Sequence, residues 1–168
     1  DYALALDYCV QGLTLAAHGG YQTVVAEAQT LLGYIYIAQE EFPAAIEAHN
    51  TAYALWQTID RGSGYMAAQA GLAQIFLRQQ QYMEAQQIVN EILAKLDDVH
   101  LNALQHAGHI FMICYQTLVA NHDPRAFAIL QRGCQLLQAQ AATLSDPALQ
   151  QSFLHNILVN RELMAELS

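Results

Sequence analysis

Long apolar-rich segments alternate with short polar breaks along this chain, and the breaks carry helix-ending chemistry. His18-Gly19-Gly20, Asp60-Arg61-Gly62-Ser63-Gly64, Gln79-Gln80-Gln81 and Asp97-Asp98 are glycine-rich, polar or charged stops. Gln39-Glu40-Glu41 comes just before Pro43. Asn121-His122-Asp123-Pro124 and Ser145-Asp146-Pro147 pair a capping side chain with a proline at the first helical position, where the missing N–H costs nothing. The segments between the breaks are long enough for amphipathic helices. They predict eight: residues 2–18, 21–39, 42–59, 64–79, 82–96, 99–120, 124–143 and 147–166.

The pattern repeats. Tyr2, Phe42 and Tyr82 recur at one fixed spacing, and each is followed three residues later by an alanine, Ala5, Ala45 or Ala85. Asp123 and Ala126 continue the series one position late. A self-similar period of this length is the mark of stacked supersecondary units. Aligned on the alanines, Leu32-Gly33 and Tyr36 correspond to Leu72-Ala73 and Phe76, and then to Ile113-Cys114 and Thr117. A small residue (Gly33, Ala73, Cys114) lets the first helix of a unit approach the second, and the early alanine does the same from the other side. The aromatic fills the wedge between them.

This arrangement, over residues 2–143, resembles the tetratricopeptide repeat. The likeness is good in the second and third units and weaker in the fourth, where Thr117 and Asp123 replace aromatics. The period of about 40 exceeds the ~34 of the standard repeat. In this it is similar to the maltose-regulator-like repeats at the C-terminal end of large bacterial signal-transducing NTPase regulators of the STAND class. The segment from Leu136 through Ser145-Asp146-Pro147 to Asn160-Arg161-Glu162-Leu163 looks like the chain end of such proteins. The resemblance implies an all-α, right-handed helical-hairpin solenoid with a C-terminal capping helix. It divides the chain as one domain, 1–168: a half repeat at 2–18, helical pairs at 21–59, 64–96 and 99–143, and the cap at 147–166. The half repeat lacks its first helix, so Leu4, Leu6 and Val10 should be partly uncovered.

Composition narrows the function. Hydrophobic residues make up 54% and charged residues 12% of 168 residues, enough for one sizeable core. Fifteen acidic against six basic residues leave a net charge of −9, which argues against a nucleic-acid surface. The scattered basic residues form no polybasic membrane patch. No apolar run is long enough to span a bilayer. The three cysteines, Cys9, Cys114 and Cys134, form no CxxC pair and read as buried free thiols of a reducing, cytoplasmic compartment. The chain opens on Asp1 with no secretory leader, as a piece of a longer protein would.

Chemistry is sparse. No phosphate-binding GxxxxGK[ST] or GxGxxG stretch occurs, so no nucleotide site and no cofactor is expected. His106 and His109 would share a face of one helix, with His100 farther off. Three converging ligands are missing, so no metal is expected, and a metal-dependent enzyme built on these histidines is a remote alternative. Cys114 and Cys134 occupy packing slots and should be inert. The pairs Glu40-Glu41 and Asp97-Asp98 sit at helix boundaries, where they are solvated rather than poised for acid catalysis.

What remains is a surface. The resemblance places the first helix of each unit on a concave face. Carried over residue by residue, that face would show Glu27, Thr30, Tyr34 and Ile37, then Ala70, Gln74, Leu77 and Arg78, then Phe111, Tyr115, Leu118 and Val119. It implies a non-catalytic interaction or sensor module for a peptide, a protein or a small-molecule inducer, with Glu27, Thr30, Tyr34, Gln74, Arg78, Phe111 and Tyr115 as ligand contacts. The alternative is a structural spacer that self-associates through its N-terminal edge.

Overall fold

The computed structural model describes residues 2–59, 64–96 and 104–167. Among these residues all regular structure is helical: α1 (Tyr2–His18), α2 (Gln22–Ala38), α3 (Phe42–Ile59), α4 (Gly64–Arg78), α5 (Tyr82–Lys95), α6 (Ala107–Ala120), α7 (Ala126–Ala142), α8 (Pro147–His155) and α9 (Leu158–Glu166). Consecutive helices pack on one another, and α2, α4 and α6 also touch in order, forming one layer. The others wedge in from outside: α3 against α2 and α4, α5 against α4 and α6, and α7 against α6 and α9. The chain is an all-α helical solenoid.

Small residues set the spacing of these layers. Ala45, Ala52 and Ala85 have no exposed surface. Gly33 of α2 and Gly71 of α4 both face the imidazole of His49 on α3, and a Cβ at either position would run into that ring. Gly133 of α7 makes the same kind of room for Phe111 of α6. The main core lies between α4, α5, α6 and α7 and takes in Met66, Ile92, Ile110, Phe111, Leu130 and Leu137. Trp56, at the end of α3, lays its ring over Gly64 at the start of α4.

Four turns among the described residues have one geometry: Gly20 at φ 70°, with the Tyr21 N–H on the Ala16 carbonyl at 3.0 Å, is the glycine form, and three others follow it. Glu40, Gln80 and His122 sit in left-handed backbone at φ 62°, 60° and 53°. In each the next residue's N–H returns to the carbonyl five residues back: Glu41 to Tyr36 at 2.9 Å, Gln81 to Phe76 at 2.9 Å and Asp123 to Leu118 at 2.8 Å. This is the helix-closing bond pattern usually built on glycine, made in these three by polar residues that tolerate it less well. Glu40 and Gln80 keep the spacing of Phe42 and Tyr82, whereas His122 comes two positions beyond a further equal step.

Two expected helices differ. The helix expected at 99–120 begins at Ala107, preceded by His106 in left-handed backbone at φ 55°. Asp97, Asp98 and His100 lie outside the described residues, as does Arg61 in the expected 60–64 break. The closing helix expected at 147–166 is two helices. Asp146 starts α8 as read, its Oδ1 accepting the Ala148 N–H at 2.8 Å. The chain then breaks at Ile157, which is extended at φ −77°, ψ 114°. The amide of Asn160 donates to the Phe153 carbonyl at 3.0 Å, satisfying one of the acceptors that the end of α8 leaves open. Asn160 is itself buried against Gly108 of α6. Packing on α6 thus holds the break in place.

Candidate functional site

The inner layer borders a cleft of about 510 Å³. Its walls come from α2 (Tyr34, Ile37, Ala38), α4 (Gln74, Leu77, Arg78), α6 (His109, Met112, Ile113, Gln116) and α9 (Leu158, Val159, Glu162), with Tyr2 of α1 at the edge. The volume is within the range of small-ligand sites. Tyr34, Gln74 and Arg78 therefore sit where the repeat offsets place them.

The other expected contacts do not line it. Thr30 and Phe111 have no exposed surface. Thr30 closes on its own helix, its hydroxyl donating to the Ala26 carbonyl at 3.0 Å. Phe111 fills the space that Gly133 leaves between α6 and α7. Tyr115 points at α9, donating to Glu166 at 3.0 Å, a bond that raises its pKa. Leu118 is buried, while Val119 is exposed but outside the cleft. For the α6 residues the physical reason is register. Phe42 and Tyr82 each stand two positions past a left-handed turn residue, and the residue so placed after His122 is Pro124, not Asp123. The inner stripe of α6 accordingly lies one residue later, on His109, Met112 and Gln116. The turn spacing was a possible signal for these residues, but Asp123 obscures it by replacing the aromatic.

Glu27 belongs to a polar cluster beside the cleft. Its carboxylate accepts from His106 Nε2 at 2.7 Å, so α2 is tied to the residue that starts α6. Tyr34 lies between three imidazoles: stacked on His109 with centroids 4.6 Å apart, tilted to His106 at 6.2 Å, and edge-on to His49 at 5.1 Å. Its hydroxyl donates to the Ala67 carbonyl at 2.8 Å, crossing α4 where the side chains are small. Burial, with the Glu27 carboxylate adding to it, pushes the Tyr34 phenol upward and keeps it neutral. Burial pulls His49 down to about 4. His109 also falls to about 4, through burial and then the neighbouring His106. Both rings are neutral near pH 7.

His106 is not on one helix with His109, as expected, but precedes it in the left-handed turn. Among the described residues no group of three His, Cys, Asp or Glu side chains is placed to hold a metal. Cys114 is fully buried and its thiol is pushed up to about 12 by that burial, away from the reactive thiolate. Cys134 is also buried, its thiol facing the Leu163 carbonyl at 3.5 Å.

Residues 24–98 match the tetratricopeptide repeat. Together with the all-helical hairpin stack, the match supports a tetratricopeptide-repeat domain. No curated protein matches the chain, and no solved structure does. Tetratricopeptide repeats generally mediate protein–protein interaction and typically bind proteins or peptides, a non-catalytic role. The matched segment holds most of α2 and all of α3, α4 and α5, so it supplies two of the three inner helices of the cleft. No helix of the described residues is long and apolar enough to cross a membrane.

Proposed function

We propose that this chain is a ligand-binding interaction module whose site is the concave cleft. One observation carries the reading: three inner helices and α9 turn side chains of mixed character into one concavity. Apolar walls from Leu77 and Leu158 supply contact area over the buried Met112, while Gln74, Arg78 and Glu162 supply direction. A peptide or protein segment is the primary ligand, and a small-molecule inducer would use the same walls. In keeping with the regulator-like repeat length, we read the module as the sensor of a multi-domain, cytoplasmic bacterial regulator. Its ligand would favour one solenoid curvature over another.

The methionines make this testable. Met112 lines the cleft, whereas Met83 is 66% exposed on α5, away from it. With methyl-labelled methionine, titration with a random peptide pool should shift Met112 and leave Met83 in place. Shifts confined to Met83 would put binding on the outer surface and end the reading.

A second reading rests on α1. Leu4, Tyr8, Val10 and Leu15 are 52%, 65%, 43% and 74% exposed, and among the described helices α1 packs only on α2. A second copy covering this helix would make the chain a self-associating spacer. Light scattering across concentration tests it, and a strict monomer at every concentration removes it.

A further inference from the structure

We propose that the cleft receives a peptide segment carrying a positive charge beside an apolar side chain, the cation meeting Glu162 and the apolar group resting on Leu77 and Leu158, with the buried Met112 beneath. The inference rests on the cleft reading above and adds the chemistry of the ligand.

Charge inside the cleft points this way. Its ionisable lining groups, apart from the phenols of Tyr2 and Tyr34, are Arg78, His109 and Glu162. Arg78 already faces a carboxylate, Glu40, at 3.7 Å. His109 is held neutral near pH 7 by burial, so it adds no charge. Glu162 is exposed on α9 and forms no ion pair with a described residue. The cleft therefore presents one unanswered negative charge.

Its surroundings reinforce that sign. The chain carries fifteen acidic and six basic residues, a net charge of −9. Such a field steers cationic partners inward and slows anionic ones. At the edge of the same cleft, Tyr2 is 58% exposed and offers an aromatic face of the kind on which ammonium and guanidinium groups rest. The apolar walls then favour a segment whose charge flanks a hydrophobic anchor over a purely basic one.

The test uses fluorescence anisotropy on the whole chain with three labelled octapeptide pools. They share one apolar core and differ only in their flanking residues, which are lysine, glutamate or serine. The lysine pool should bind about tenfold more tightly than the glutamate pool at low salt, with the gap narrowing as salt rises. Glu162→Gln should shrink that preference several-fold, and Arg78→Gln should not. Ala38→Trp, which fills the cleft from an exposed position, should weaken every pool. A glutamate preference that disappears in Arg78→Gln and weakens with Ala38→Trp overturns the charge inference and leaves the cleft as the site. Lysine-pool binding indifferent to both Glu162→Gln and Ala38→Trp, or no binding of any pool, overturns the inference and the cleft reading together.

Discussion

α1 and α6 are both strongly apolar helices, yet they are treated in opposite ways. α6 buries Ile110, Phe111, Met112, Ile113, Cys114 and Leu118, because α4, α5, α7 and α9 surround it. In α1 only Ala16 is buried, since α2 is its one neighbour among the described helices. Hydrophobicity alone does not decide burial in a stacked array. The number of flanking helices does, so a similar composition gives a core in one place and a bare apolar face in the other.

The largest test of that contrast is truncation. Phe111→Ala should cost about 3–5 kcal/mol, because the transfer term and the cavity term add in a closed core. Leu15→Ala, at 74% exposure, should stay within about 0.5 kcal/mol. Urea unfolding of both variants checks the pair, and equal losses would break the comparison.

Acid should act on the crowded interior next. His49 and His109 have folded pKa values lowered to about 4, so the unfolded chain binds more protons between about 6.5 and 4. Stability is therefore full above the unfolded pKa and falls as pH drops through that window, by roughly 3 kcal/mol for His49. His49→Leu keeps the bulk, removes one of the two titrations and should reduce the slope of the thermal-melt profile against pH, His109 supplying the rest. An unchanged slope would place the acid sensitivity elsewhere.

The smallest effects compare glycines. Gly71 abuts His49, so Gly71→Ala should cost about 1–3 kcal/mol by overpacking. Gly12, in α1, has nothing within 4 Å of a built Cβ. There the same change should gain about 0.5–1 kcal/mol through helix propensity. Opposite signs in denaturant melts would sharpen the contrast between a helix with one neighbour and helices with several.

Much of the architecture was legible because alanine and glycine spacing records helix proximity directly. Ala45 and Ala85 are fully buried, whereas Tyr82, one of the aromatics that first marked the period, is 40% exposed. The small residues carried the packing information. Within the cleft, Tyr34, Ile37, Gln74, Leu77 and Arg78 stand at their offsets to Gly33 and Ala73, whereas Thr30 and Ala70, placed by the same offsets, are buried and Glu27 lies beside the cleft. The α6 stripe departs from its offsets, because the late turn at His122 and the left-handed His106 rotate that helix relative to an alignment on Asp123. Leu158 and Glu162 were hidden for a different reason. Nothing local at Asn156-Ile157 demands a break; it depends on Asn160 reaching the Phe153 carbonyl while seated on Gly108, a contact between distant parts of the chain.

His49 has a consequence beyond its own stability. In a linear array, melting is shared between the strength of each unit and the grip between neighbours. His49 sits in both, since one ring closes against Gly33 within its own hairpin and against Gly71 in the next. Charging that ring weakens a unit and its junction at once. Cooperativity itself should then depend on pH: protonating His49 would loosen α3 from α2 and from α4 together, so melts should broaden in acid.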